Sequence, residues 1–184
     1  MRSVMFLVVL AFATSCASSG SPSASGIVTL TERVVTVDTQ GANSTSRAFG
    51  TKAHIPVSPS RVFAALKSVY EEMGVAPAIN DPTTGHVGNT DFWKTRKLGT
   101  EPISAYLECG TSITGPAADT HRINISVISQ VRPDGKGETE LETALSALAR
   151  SMDGATSDRA CGTTGLLEQR IRQRLLDKLS VSEP

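Results

Sequence analysis

The stretch of sequence that decides the fold lies at residues 58–74 and reads SPSRVFAALKSVYEEMG. Its apolar residues recur every three or four positions, the spacing that places side chains on one face of an α-helix. That face comprises Val62, Phe63, Leu66, Val69, Tyr70 and Met73. Ser58 is typical of a helix N-cap, Pro59 of the first helical position, and Gly74 of the position just past the end. The pattern predicts an amphipathic helix over residues 58–73.

A second helix is predicted near the C-terminal end, over residues 165–179. Its apolar residues are spaced four apart and are Leu167, Ile171, Leu175 and Leu179. Thr163 or Thr164 is expected to cap its start. Glu168 in the first turn and Lys178 in the last turn suit the helix dipole.

Between the two helices the apolar pattern changes to a period of two, which is typical of strands with one buried face. It predicts strands at 103–109, 123–127 and 138–145, with strand preferred to helix for the residues that follow 145. Strands are also expected at 26–37, 47–55 and 87–93, and turns at 81–85 and 133–137. The sequence therefore predicts an α+β fold, with an antiparallel sheet packed against one internal and one C-terminal helix.

The first sixteen residues have the features of an export signal. Arg2 precedes an apolar run over residues 4–13, which is too short to span a bilayer. Ala13-Thr14-Ser15-Cys16 resembles the lipobox of bacterial lipoproteins, with Ala13 in place of Leu and Ser15 in place of Gly or Ala. The alternative is cleavage nearby by an ordinary signal peptidase.

The lipobox resemblance implies a signal peptide at 1–15 and lipidation of Cys16. The Ser- and Gly-rich residues after Cys16 predict a flexible tether, so that 16–26 hold the lipidated cysteine and linker. One domain is expected over 27–184, with a core at about 47–179. Ala17 stands where many lipoproteins retained in the inner membrane have Asp. The implied location is the bacterial cell envelope, with the lipid in the outer membrane and the domain in the periplasm.

The cysteine count bears on the same compartment. Three cysteines make an odd number, and assigning Cys16 to the lipid leaves Cys109 and Cys161 as a pair. An oxidising periplasm allows that pair to form a disulfide. Two separately buried thiols are the alternative, and a catalytic cysteine is disfavoured because neither residue has a nearby His in the sequence.

Charge and motifs exclude several function classes. The formal net charge of the 184 residues is zero, which argues against a nucleic-acid partner. Residues 110–115 only approximate a nucleophile elbow, so no catalytic residue and no cofactor are predicted. The sequence intervals between His54, His86 and His121 do not match those of metal-ligand motifs, so no metal site is predicted. Folding can still bring such residues together. Three glutamates share one strand face, namely Glu138, Glu140 and Glu142. We interpret this face as a solvated face of the sheet, rather than as paired carboxylates for acid-base chemistry or cation binding.

One cluster is a candidate binding surface. Residues 91–97 place the only Trp of the chain next to a second aromatic and three cations. The candidate residues are Phe92, Trp93, Lys94, Arg96 and Lys97. Such a composition suits a lipid headgroup, a glycan or an acidic protein face. The alternative is a strand end with one ring in the core and the basic residues in water.

The order of elements, with residues 57–63 opening the first helix, resembles helix-grip domains, in which a curved antiparallel sheet wraps helices. Among these the chain is most similar to the domains of the lipoprotein C subunit of the bacterial β-barrel assembly machinery. The shared features are the lipidated Cys, the tether and an Asp-x-x-x-Gly turn, here Asp81 to Gly85. That subunit has two such domains, and the Cys109 and Cys161 pair is not part of its pattern.

Two functions follow as hypotheses. The first is a membrane-anchored envelope lipoprotein whose domain is a non-catalytic binding or scaffold module for an envelope protein. The second is a carrier that encloses a small apolar ligand or lipid between its sheet and terminal helix, as some helix-grip relatives do. A cavity of at least about 300 Å³ is a requirement of the carrier hypothesis.

Overall fold

The computed structural model describes residues 29–39, 42–152 and 158–180, and among these the side chains from residue 50 onward. The predicted signal peptide at 1–15, the lipidation site Cys16 and the tether at 16–26 lie outside the described residues. No helix in the described ranges is long and apolar enough to cross a membrane.

The chain forms strands and helices in the order predicted, strands before the first helix, antiparallel strands after it, and a terminal helix, with an additional short helix at Ala117–Thr120. A 3₁₀ turn at Ile103–Ala105 lies between two short strands. The elements are β1 (Thr29–Thr39), β2 (Ala42–Ile55), α1 (Pro59–Glu72), β3 (Ile79–Asp81), β4 (His86–Thr95), β5 (Lys97–Leu98), β6 (Glu101–Pro102), β7 (Leu107–Glu108), β8 (Thr111–Ser112), β9 (Gly115–Pro116), α2 (Ala117–Thr120), β10 (Arg122–Pro133), β11 (Thr139–Arg150), β12 (Arg159–Thr163) and α3 (Leu166–Leu179). The predicted α+β class is confirmed.

Eight of the described strands form one sheet in which every pair is antiparallel. Its main path runs β1, β2, β11, β10, β4, β3. Two strands pair with the same edge of β11. Its first part, Thr139–Leu145, pairs with β2, and its later part, Ala147–Ala149, pairs with β12. β12 also pairs with β7, which joins the segment after the 3₁₀ turn to the strand that leads into α3.

The sheet has two unlike faces, because alternate residues of β10 and β11 are buried along the whole of both strands. We call the face with the buried residues the inner face and the opposite one the outer face. Helices α1 and α3 pack against each other and against the inner face, where they complete a continuous apolar core. A strand with one buried face has the period-two pattern from which β10 and β11 were predicted.

Helix α1 follows its sequence pattern closely. Four of its apolar residues are buried, namely Val62, Leu66, Val69 and Tyr70. Ser58 is the N-cap and Pro59 occupies the first turn, as predicted. Gly74 ends the helix with a φ of +79°, and a Cβ there would lie 2.6 Å from the backbone nitrogen of Gly99. Only glycine fits this backbone conformation and close approach without strain.

The turn predictions are confirmed by side chains that bond to their own backbone. At residues 81–85 the Asp81 carboxylate accepts the Thr83 N–H and the Thr84 hydroxyl, both at 2.8 Å. At residues 133–137 the Asp134 carboxylate accepts the N–H groups of Lys136 and Glu138 at 2.8 and 3.0 Å. Such Asx turns fix the chain reversals locally.

The strand predicted over residues 103–109 is wrong for its first half, where the chain forms the 3₁₀ turn at Ile103–Ala105. The turn buries Ile103, Tyr106 and Leu107 together, although strict alternation would put Tyr106 on the opposite side. The Asp119 carboxylate fixes the turn, accepting the Ser104 N–H at 2.9 Å and its hydroxyl at 2.5 Å. After residue 145, the preference for strand is confirmed, because β11 continues to Arg150.

Candidate functional site

A cavity of about 340 Å³ lies between the inner face and the first turns of α3. Its walls combine apolar and hydroxyl side chains from β2 and β11 with charged side chains from α3. They include Thr51, Ala53, Leu141, Thr143, Glu168 and Arg172. The volume lies within the range of ligand pockets, which begins near roughly 300 Å³.

The register between β2 and β11 brings the strand residues of the cavity together. Ala53 is opposite Leu141, and Thr51 is opposite Thr143. Because side chains alternate along a strand, all four point to the inner face. The sheet therefore supplies a floor with two apolar and two hydroxyl side chains.

Thr143 links the cavity to a buried chain of hydroxyl groups on the inner face. The Tyr70 hydroxyl lies 2.8 Å from Ser129 Oγ, which lies 2.7 Å from Thr143 Oγ1. All three residues are at most 2 % exposed. Burial raises the pKa of the Tyr70 hydroxyl, so Tyr70 stays neutral and serves as a hydrogen-bonding group. These hydrogen bonds connect α1 with β10 and β11 on the inner face.

Glu168 is the charged side chain that distinguishes this cavity. It is only 2 % exposed, and the Thr163 hydroxyl lies 2.9 and 3.1 Å from its two carboxyl oxygens. Burial raises the pKa of the Glu168 carboxyl, and its own N–H and the Thr163 hydroxyl partly offset that effect. Glu168 was predicted as a first-turn complement to the helix dipole. Its position in the first turn is confirmed, whereas its burial in a cavity was not anticipated.

The start of α3 is built differently from the cap that the sequence predicted. The N-cap is Gly165 in a left-handed conformation, rather than Thr163 or Thr164. Both threonines still bond to the backbone there, since Thr163 Oγ1 accepts the Gly165 N–H at 3.0 Å and Thr164 Oγ1 accepts the Leu166 N–H at 3.3 Å. The Thr163 hydroxyl thereby joins the helix start to the Glu168 carboxyl.

The predicted disulfide between Cys109 and Cys161 is confirmed, with the two Sγ atoms 2.06 Å apart. Both cysteines are buried, at 2 and 3 % exposure. The bond lies beside the pairing of β12 with β7, and β12 leads directly into α3. It therefore anchors the segment that carries Thr163 and the cavity side of α3.

The candidate surface at residues 92–97 is divided between the two faces of the sheet. Phe92 is half-buried and packs against the core, whereas Trp93 is 38 % exposed. The cations at the Trp93 ring are Arg122 and Arg150, whose guanidinium carbons lie 5.0 and 5.2 Å from its centroid.

Neither arginine is close to Trp93 in sequence, so only the strand pairing could have revealed them. Arg122 and Arg150 are opposite each other in the β10–β11 register. Of the predicted cations, Lys94 is half-buried, and Arg96 and Lys97 are exposed. The role of this surface in binding stays a prediction.

The outer face carries ion pairs at the end opposite Trp93. Lys52 Nζ lies 3.1 Å from Glu140 Oε1 and 3.9 Å from Glu142 Oε2, and Arg132 lies 3.5 Å from Glu142. The predicted row of glutamates is thus neutralised by cations of neighbouring strands, as expected of a solvated sheet face.

Folding also assembles a cluster that the spacing of the histidines did not predict. His54 Nε2 lies 2.6 Å from Glu138 Oε2, and His54 Nδ1 lies 3.8 Å from Asp134 Oδ2. One donor atom from each residue lies within 4.8 Å of the others. Such nitrogen and oxygen donors suit a divalent metal ion. We interpret the group as a surface hydrogen-bonded cluster, because the His54 side chain is half exposed and lies 2.6 Å from Glu138.

The loop that approximates a nucleophile elbow contains Ser112 in the β8–β9 hairpin. Its hydroxyl donates to the Gly115 carbonyl at 3.0 Å and contacts the Thr120 hydroxyl at 2.9 Å. Thr120 Oγ1 lies 3.1 Å from His121 Nδ1 and so stands between Ser112 and the imidazole. Ser112 is therefore used to hold the hairpin against α2.

These features define an α+β domain whose helices cover one face of an antiparallel sheet and leave a cavity beside α3. No protein-family model, no curated protein and no solved structure matches the chain. Its function is therefore inferred from its own residues.

Proposed function

We propose that this chain is an exported, lipid-anchored and non-catalytic binding protein that carries a small, largely apolar ligand in the cavity beside α3. The observation that carries the proposal is the cavity of about 340 Å³ on the inner face, with Ala53 and Leu141 in its walls. A preformed pocket lined by apolar groups and a few polar ones is the usual form of a ligand site.

The envelope location in this proposal rests on the sequence of residues 1–26. The lipobox-like residues ending at Cys16 imply the anchor, in the outer membrane and facing the periplasm. The Cys109–Cys161 disulfide is compatible with that location, because disulfides persist in oxidising compartments.

The anchor is tested by the intact mass of the membrane-extracted protein, measured with and without reductant. We expect acyl chains on Cys16 and two thiols that become alkylatable only after reduction. An unmodified Cys16 would remove the lipoprotein from the proposal, while the cavity would still require its own test.

Ligand binding is tested by filling the cavity. Ala53→Phe adds a ring on the inner face, and Ala144→Phe is the matched control on the outward side of β11. We expect a fluorescent apolar probe to bind the wild type and the control, and Ala53→Phe to lose most of the binding while it stays folded. Equal binding by both variants would show that the probe binds elsewhere.

A second candidate function, a protein-binding module, is favoured by Trp93 and its two arginines on the outer face, which no described helix covers. An exposed aromatic flanked by cations suits an acidic face of an envelope protein. A photo-crosslinker at position 93 is expected to give one discrete protein adduct in envelopes, and the same group at the exposed position 113 none. Recovery of only abundant bystanders at both positions would refute this candidate.

A further inference from the structure

We propose that the cavity selects a compact amphiphile whose polar end is a protonated amine, held by the Glu168 carboxylate. This inference rests on the proposed ligand-binding function and specifies its ligand class. It depends on the position of Glu168, on the groups that surround it and on the nature of the opposite wall.

Glu168 lies in the wall of the cavity, and only a small part of its side chain is exposed. Its side chain is 2 % exposed, yet it lines the cavity together with Leu141 and Thr143 of the sheet. A buried carboxylate is unfavourable unless charge and hydrogen bonds compensate it. The cavity thus contains a group that gains strongly from a cationic partner.

The described residues supply hydrogen bonds to this carboxyl, but they do not neutralise its charge. Its bonds come from the Thr163 hydroxyl and from its own N–H. Arg172 also lines the cavity, one helical turn further on, but it is not among the groups that offset the burial of Glu168. Lys52 extends to the outer face, where its ammonium group bonds to Glu140. Within the described part of the chain no cation offsets the burial of Glu168, so a cationic ligand group would do so.

The opposite wall of the cavity suits an apolar body. Ala53 and Leu141 form the apolar part of the floor, and the Thr51 and Thr143 side chains stand beside them. An ammonium group donates up to three hydrogen bonds, so it can bond to Glu168 and to a threonine hydroxyl together. A carboxylate or phosphate headgroup placed at Glu168 would instead face a like charge, although the guanidinium of Arg172 also lines the cavity.

The test compares three probes with the same eight-carbon chain: octylammonium, 1-octanol and octanoate. Each is titrated by calorimetry, at neutral pH and below its aggregation concentration, into the folded wild type, Glu168→Gln and Glu140→Gln. Glu140→Gln is the matched control, because it removes one glutamate charge from the outer face.

In the wild type and in Glu140→Gln we expect octylammonium to bind at least about tenfold more tightly than octanol, and octanoate to bind most weakly. In Glu168→Gln the preference for the ammonium group should vanish while octanol binding is retained. Equal affinity for octylammonium and octanol in the wild type, or a preference that survives in Glu168→Gln, would overturn the inference and leave the ligand-binding function standing. If none of the three probes binds the wild type, both this inference and the proposed function are refuted.

A second measurement keeps the inference testable if Glu168→Gln does not fold. Nuclear Overhauser effects are recorded between wild-type protein and bound octylammonium. We expect the methylene next to the ammonium group to contact the methyl group of Thr163, the residue that bonds to Glu168. Contacts from the far end of the alkyl chain at Thr163 instead would contradict the proposed orientation.

Discussion

The two faces of the β10–β11 pair share the same strands and the same backbone hydrogen bonds, yet they have opposite surroundings. On the inner face, β10 and β11 bury apolar and hydroxyl side chains under α1 and α3. On the outer face, the same strands present half-buried side chains, ion pairs and the two arginines that contact Trp93 of β4. The helices therefore determine which side of the sheet can hold a buried polar group.

This difference explains why the two faces have different capacities for binding. A carboxylate on the outer face is solvated or paired with a cation, as Glu140 is with Lys52. The carboxyl group of Glu168 on the inner side is buried and bonded to the Thr163 hydroxyl, and no cation of the described residues is among the groups that offset its burial. Changes on the inner and outer faces are therefore expected to differ in their effects.

The largest effect is expected from the disulfide, which ties the loop before β8 to β12 on the inner side. The bond closes a loop with a sequence separation of 52 residues. On the chain-entropy view, replacing Cys109 and Cys161 by Ser should lower the free energy of unfolding by up to about 4 kcal/mol. Urea unfolding of the double variant should match that of the reduced wild type. Identical midpoints for oxidised and reduced protein would contradict this expectation.

The next largest change in stability is expected from substitutions of two leucines of β11. Leu145 is 1 % exposed on the inner face, whereas Leu148 is half-buried on the outer face. Leu145→Ala leaves a cavity in the core and should cost about 3 kcal/mol in unfolding free energy. Leu148→Ala should cost about 1 kcal/mol. Equal losses of unfolding free energy in the two variants, measured by urea unfolding, would mean that the two faces are covered to the same extent.

A smaller effect is expected from two serines of β10. Ser129→Ala removes the middle of the buried hydroxyl chain and leaves Tyr70 and Thr143 with unmet hydrogen bonds. This should destabilise the protein by about 2 kcal/mol. Ser126→Ala, on the outer face, is the control and should change stability by less than about 0.5 kcal/mol. A neutral Ser129→Ala would indicate that water replaces the lost group.

The smallest effect concerns pH, and its sign differs between the two sides. Burial raises the pKa of Glu168, so just above the usual Glu range the folded protein holds a proton that the unfolded chain has lost, and stability falls as pH rises through that range. The hydrogen bond from Arg150 lowers the pKa of Asp158, so its contribution is lost as pH falls below about 4.

Urea unfolding across a pH series separates these two contributions. Glu168→Gln should flatten the decline in stability towards neutral pH. Asp158→Asn should flatten the decline at acid pH and leave the neutral range unchanged. Curves that run parallel to the wild type throughout would exclude both assignments.

The elements that the sequence predicted correctly are those whose stabilising features lie close together in the sequence. Helix α1 has its apolar stripe, Pro59 at the start and Gly74 at the end within seventeen consecutive residues. The 3₁₀ turn at residues 103–105 could not be predicted in this way, because its partner Asp119 lies beyond the next hairpin. β12 was missed for a similar reason. Its pairing with β11 and β7 is long-range, and it has too few apolar residues for a period to be detected.

The candidate site was less predictable than the fold. Glu168 occupies a first-turn position that is usually solvated, and only the docking of α3 on the inner face buries it. The disulfide was predictable because the count of cysteines limits the pairings, whereas the arginines around Trp93 depend on strand register. Local patterns thus predict elements, while a cavity is produced by the way in which those elements pack.

The central claim is that the inner-face cavity binds a ligand, and native mass spectrometry of protein extracted from envelopes tests it most directly. We predict a small non-covalent molecule on the wild type and on Ala144→Phe, and none on Ala53→Phe. The same adduct on folded Ala53→Phe, or no adduct on the wild type, would contradict the claim.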